Sequence, residues 1–142
     1  MKKIVCIAIA LVAIIAAAAV LSSYHKSDRI IVYHITLADP KLYIGEIFTD
    51  NFKIQKGSYQ FSFVPSGDSP QLLSIQLKGS TFSLSRDFQL QGTLHNTGIS
   101  TYYTWNYVGE TEIQVPNDSQ LEIIINPNGG LVESISVDIV KI

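Results

Sequence analysis

The chain has 142 residues, 46% of them hydrophobic and 15% charged, with ten Lys/Arg against twelve Asp/Glu and a formal net charge of −2. That balance, with no Lys/Arg cluster, excludes nucleic-acid binding through a basic stripe and a polybasic membrane-surface patch. The single cysteine, Cys6, excludes an intrachain disulfide and a cysteine-based metal site.

Residues 1–23 come first. Lys2 and Lys3 precede eighteen uninterrupted apolar residues, from Ile4 to Leu21. As a helix this run spans roughly 27 Å, close to the ~30 Å of a bilayer's hydrocarbon core. A helix satisfies its own backbone in lipid, so it can stay there. A cleaved secretory signal shares the basic start, and Ala16-Ala17-Ala18-Ala19 offers a small-residue cleavage site. The length of the run favours an uncleaved signal-anchor over a cleaved signal. Lys2 and Lys3 favour a cytoplasmic N-terminus. The expectation is therefore a single-pass protein of the cytoplasmic membrane with an extracytoplasmic C-terminal domain, or a secreted one if the segment is removed. Cys6 lies inside the run and reads as a small apolar residue; Lys3-Ile4-Val5-Cys6 does not fit a lipobox. Without this segment eight Lys/Arg stand against twelve Asp/Glu, on a chain long enough for one domain.

Residues 24–40 read as a polar spacer followed by the β-branched run Ile30-Ile31-Val32-Tyr33-His34-Ile35-Thr36-Leu37, either a first strand or a continuation of a membrane-proximal helix. Asp39-Pro40 ends it, because proline disfavours the helical state in its predecessor. Across 41–142 the hydrophobic period becomes two, the mark of strands with one buried face. Tyr59, Phe61 and Phe63 alternate with polar residues, as do Leu73, Ile75 and Leu77. Phe82 and Leu84, then Phe88 and Leu90, continue the pattern, followed by Tyr103, Trp105 and Tyr107. Ile113 and Val115, then Leu121, Ile123 and Ile125, then Ile135, Val137 and Ile139 complete it. Turn chemistry separates these runs at Lys56-Gly57, Pro65–Pro70, Lys78-Gly79, Asn96-Thr97-Gly98, Val108-Gly109, Pro116-Asn117-Asp118 and Asn126–Gly130. About eight short strands with regular turns predict an all-β fold, an antiparallel β-sandwich or jelly roll, preceded by one N-terminal hydrophobic helix.

No reaction centre is legible. His25, His34 and His95 fall in the spacer, the first apolar segment and a loop, and none has another His, Cys or carboxylate at ligand spacing, so no metal is expected. There is no Gly-x-Ser-x-Gly elbow, no Ser–His–Asp set at a readable spacing, and no cofactor fingerprint. Asp68, Asp118, Asn126 and Asn128 sit in turns that could gather at one end of a sandwich around calcium, but the ordered cadence of a calcium loop is missing. Asp and Asn favour turns for backbone reasons alone. The aromatic segment Tyr102, Tyr103, Trp105, Tyr107 is the candidate binding patch, since exposed rings stack on sugars or anchor a partner. Its alternation with Thr104 and Asn106 argues instead that Tyr103, Trp105 and Tyr107 point into the core, where Trp105→Ala would cost about 3–5 kcal/mol. Asn117-Asp118-Ser119 is an N-x-S sequon, so Asn117 is a candidate glycosylation site.

The run Phe52-Lys53-Ile54-Gln55-Lys56-Gly57-Ser58-Tyr59-Gln60-Phe61, with successive sandwich strands and the closing Ser134-Ile135-Ser136-Val137-Asp138-Ile139, resembles the GOLD domain. That domain is the luminal β-sandwich of eukaryotic secretory-pathway cargo receptors. The chain also looks like the small, singly anchored GOLD-like proteins of archaea, over roughly residues 45–142. The eukaryotic receptors carry a cysteine pair in the domain, a coiled coil and a C-terminal anchor; here the apolar segment is N-terminal and the domain has no cysteine. The resemblance implies a protein- or lipid-interaction sandwich and not cargo sorting.

The sequence thus predicts a membrane-anchored, non-enzymatic interaction module whose partner is an envelope protein or a glycan, with no nucleic acid. The alternatives are a structural subunit of a pilin-like filament or coat, and a carbohydrate-binding jelly roll. For a filament, Met1-Lys2-Lys3-Ile4 is a poor leader, with no Gly or Ala between the lysines and the run.

Overall fold

Alternating side chains give each strand one apolar face, and two sheets bury those faces against each other. The computed structural model describes residues 28–142, and the N-terminal segment with its expected helix lies outside them. No helix among the described residues is long and apolar enough to cross a membrane. The strands are β1 (Ile31–Leu37), β2 (Phe48–Ile54), β3 (Gly57–Val64), β4 (Leu72–Lys78), β5 (Ser83–Asn96), β6 (Thr101–Val108), β7 (Glu112–Val115), β8 (Ser119–Asn126) and β9 (Ile135–Lys141). A short 3₁₀ turn at Pro40–Leu42 is capped by Asp39, which accepts from the Lys41 N–H.

Two antiparallel sheets result, one in the order β1-β9-β3-β7 and one in the order β2-β8-β4-β5-β6. The core lies between them. Leu37, Tyr59, Phe61, Ile113, Ile135, Val137 and Ile139 come from the first sheet, and Leu73, Ile75, Leu77, Phe88, Leu121, Ile123 and Ile125 from the second. Each such side chain gains roughly 1.5–3 kcal/mol on burial, most of it offset by the entropy of ordering the chain.

Among the described residues nine strands replace the expected eight. Leu84 and the run at Phe88-Leu90 share one fourteen-residue strand, β5, with Phe82 just ahead of it, and β1 and β2 are added. Of the two readings of residues 30–37, the strand holds: β1 pairs with β9 and joins the sandwich ahead of residue 41. β2 was hidden because Asp50 interrupts the alternation of Phe48, Phe52 and Ile54. Asp50 belongs to that inward set, and its carboxylate accepts from the Tyr33 hydroxyl of the opposite sheet at 3.1 Å.

The register orients the molecule. Ile31 pairs at the Val140 end of β9, which lies beside the start of β3 and hence beside the β2–β3 and β7–β8 turns. The β3–β4 and β8–β9 connections occupy the opposite end. β5 starts beside Lys78 at the Ile31 end, passes Leu72 at Gln89, and then runs on with β6 alone as its neighbour.

Candidate interaction site on a hairpin arm

From Gln91 to Asn96, β5 pairs only with β6, so the two strands form a hairpin arm beyond the sandwich. Six residues of strand carry it out by roughly 20 Å. Its turn, Thr97-Gly98-Ile99-Ser100, is closed by the Thr97 N–H donating to the Ser100 carbonyl at 2.9 Å, with Gly98 at φ +82°. The arm leaves the end opposite Ile31. Between Asp87 and Glu110 the chain has no Asp, Glu, Lys or Arg at all.

Paired residues of an antiparallel ribbon share a face. The inner face, continuous with the core, carries the pairs Leu90–Tyr107, Gly92–Trp105 and Leu94–Tyr103. Burial decays along it: Tyr107 is buried, Trp105 is half-buried, and Tyr103 is 55% and Leu94 56% exposed. The expectation that all three aromatics lie in the core is therefore corrected to Tyr107 alone, because beyond Leu72 no second sheet faces the ribbon. Tyr107 donates to the Pro70 carbonyl at 2.5 Å, and its phenol pKa is pushed above the ordinary tyrosine value by burial, then by Glu133 and Tyr43. The Trp105 ring lies flat across Gly92, where a Cβ would sit 2.7 Å from it, and under Gly67 of the β3–β4 loop, where a Cβ would sit 3.2 Å away. Both glycines make room for the indole. Tyr103 stacks beside it at 5.6 Å and 24°.

The outer face carries Tyr102, 51% exposed, stacked on His95 at 4.9 Å and 15°. His95 Nε2 bonds the Thr104 hydroxyl at 2.8 Å. His95 is thus a strand residue of the arm and not a loop residue. Ile99 at the tip is 98% exposed. The four aromatics of the expected patch consequently split: Tyr102 on one face, Tyr103 and Trp105 on the other, Tyr107 inside. Leu94, His95 and Ile99 join them, and sequence inspection missed all three; the charge-free stretch was the available signal.

Other candidate residues lie elsewhere. Asp118 is at the Ile31 end, where it accepts from the Lys56 N–H at 2.7 Å. Asp68, Asn126 and Asn128 are at the far end, so the four do not gather around an ion. Asn128 Nδ2 donates to the Leu72 carbonyl, and Asn126 Oδ1 accepts from the Asn128 N–H, which is turn chemistry. Asn117 is exposed in the β7–β8 turn, its carbonyl accepting from Ser119 at 2.9 Å.

His34 meets a carboxylate from a distant strand, a partner that spacing along the sequence does not reveal. Pairing of β1 with β9 brings Asp138, 104 residues away, to 2.5 Å from His34 Nδ1. His34 Nε2 lies 3.3 Å from the Thr36 hydroxyl, which bonds Ser136 at 2.8 Å. This acid–imidazole–hydroxyl row runs across the outer face of the four-stranded sheet, with the His34 side chain 57% exposed. The outer face of the five-stranded sheet holds a depression of about 530 Å³ bordered by Ser74, Gln76, Lys78, Ser85, Asp87 and Asn126. Compared with known proteins, the chain matches no family model, no curated protein and no solved structure.

Proposed function

We propose that the chain is a non-enzymatic interaction module, tethered to the cytoplasmic membrane by the apolar segment from Ile4 to Leu21 and presenting the β5–β6 arm as its contact element. The observation that carries this reading is the arm itself: an uncharged ribbon leaving the end opposite Ile31, with Leu94, Ile99, Tyr102 and Tyr103 exposed. A two-stranded ribbon in water is marginal on its own account, and exposed aromatics are the side chains that binding surfaces favour. The direction of the arm supports tethered display, since a chain entering at Ile31 points it away from the membrane. The resemblance to GOLD domains leads the same way, toward a protein- or lipid-interaction sandwich.

The test is photo-cross-linking in intact cells. A photoreactive residue in place of Ile99 is expected to give a defined protein adduct, and the same residue in place of Lys53, at the other end of the molecule, to give none. Absence of any adduct from the Ile99 position would overturn the reading. An adduct to a glycan would move it to the carbohydrate-binding alternative.

A further inference from the structure

A free strand edge invites another strand, and folded proteins blunt such edges with bulges, charges, short strands or inward-pointing charged residues. Here β1 is bulged between Ile31 and Tyr33. β2 carries Asp50 and Lys53, and β7 is four residues long and opens on Glu112. The first half of β5, beyond the reach of β6, sets Arg86 opposite the buried Ile75, on the core-facing side, where its guanidinium meets Glu110 at 2.9 Å. β6 has none of these devices. Its eight residues, Thr-Tyr-Tyr-Thr-Trp-Asn-Tyr-Val, include no charge, proline or glycine, and its register with β5 has no bulge. It ends the five-stranded sheet, and among the described residues no strand pairs with its outer edge. β-branched and aromatic residues without charge are also the composition that adds most readily to another strand.

We propose that this edge pairs with the β6 edge of a second copy of the chain, antiparallel, joining two five-stranded sheets into one of ten strands. The proposal rests on the arm reading and names the arm's partner. A second copy fits because a two-fold interface must complement itself, and a strand without charge sets no like charges face to face. Only the antiparallel arrangement gives both strands the same hydrogen-bond pattern under such an axis. A two-fold perpendicular to the sheet also keeps each face on its own side. With the axis at Thr104, Tyr103 of each copy stands opposite Trp105 of the other, and the half-covered inner-face ladder becomes continuous across the joint. The two Ile31 ends then lie at opposite ends of the assembly, so tethered copies pair from facing membranes and not within one.

The full chain in mild detergent, weighed by sedimentation over a micromolar concentration series, tests this. The wild type is expected to be dimeric. Thr104→Lys, at the exposed outer-face position on the axis, should weaken the dimer at least tenfold by setting two like charges face to face, and the Thr104→Lys, Asn106→Lys double variant further still, each with unchanged circular dichroism. A dimer that both lysine variants leave at full strength, or a wild type monomeric up to on the order of 100 μM, would overturn the proposal. Failure of the arm reading looks different. A monomeric chain that still cross-links from Ile99 to another envelope protein overturns self-pairing and leaves the arm reading standing, whereas no adduct of any kind removes both.

Discussion

Trp105 is held by two glycines and one tyrosine, with no sheet above it. Gly92 lies beneath the ring, Gly67 of the β3–β4 loop covers part of it, and Tyr103 flanks it. Truncating such a half-buried side chain forfeits less burial than truncating a core residue, so Trp105→Ala should cost about 1–2 kcal/mol. Phe88 is 1% exposed and packs edge-on against Phe61 and Phe63, and Phe88→Ala should cost about 3–5 kcal/mol. Urea denaturation of the two variants beside wild type measures both. A Trp105→Ala loss equal to that of Phe88→Ala would mean that the indole is a core residue after all. Alternation alone could not make this distinction. Tyr103, Trp105 and Tyr107 share one face, but how deep each sits depends on whether a second sheet reaches over them, and that is a property of the opposite sheet's length.

At the scale of elements, the arm is the part of the fold held least by burial. Between Gln91 and Asn106 no residue is buried, and the ribbon is held by its own ladder, the His95–Tyr102 and Tyr103–Trp105 stacks and the His95–Thr104 hydrogen bond. Local opening is cheapest where buried contacts are fewest. Amide hydrogen exchange in residues 91–106 should therefore outpace that of β3, β8 and β9 by several orders of magnitude in a monomeric lysine variant. Protection of the arm in that variant comparable to β8 would show that something else holds it. Most strands were legible from period two and from turn residues, because half-burial imposes exactly that pattern. The second half of β5 was not, since Gln91-Gly92-Thr93 offers no apolar alternation; its strand character comes from pairing with β6. His34 and Asp138 meet for a similar reason, through a ladder that closes over 104 residues.

The whole molecule is closed by tyrosines that reach from one part of the sandwich to another. Tyr33 of β1 donates to Asp50 of β2, joining the two sheets along one side. Tyr107 of β6 donates to Pro70 in the β3–β4 connection, and Tyr59 donates to the Gln55 carbonyl across the β2–β3 turn. Asp50, which broke the pattern in the sequence, is thus explained only by a hydroxyl on the opposite sheet. Burial raises the phenol pKa of Tyr33, Tyr43, Tyr59 and Tyr107, and neighbouring carboxylates add to it: Asp50 for Tyr33, Glu133 for Tyr43 and Tyr107, Asp118 for Tyr59. The unfolded chain releases these protons near pH 10, while the folded one holds them to higher pH. Above that point the unfolded state binds fewer protons than the folded state, and stability falls as pH rises. Below pH 10 both states are protonated and these groups contribute no slope. Alkaline titration by circular dichroism should therefore show unfolding that begins near pH 10 and steepens beyond it. In a Tyr33→Phe, Tyr107→Phe double variant, two of the groups no longer ionise in either state. That variant should be less stable than wild type at pH 8, where it has lost two hydrogen bonds, yet lose less stability between pH 10 and 12. An identical alkaline slope in the two proteins would show that the phenols do not hold their protons on folding, and that the tyrosine bridges are open to solvent.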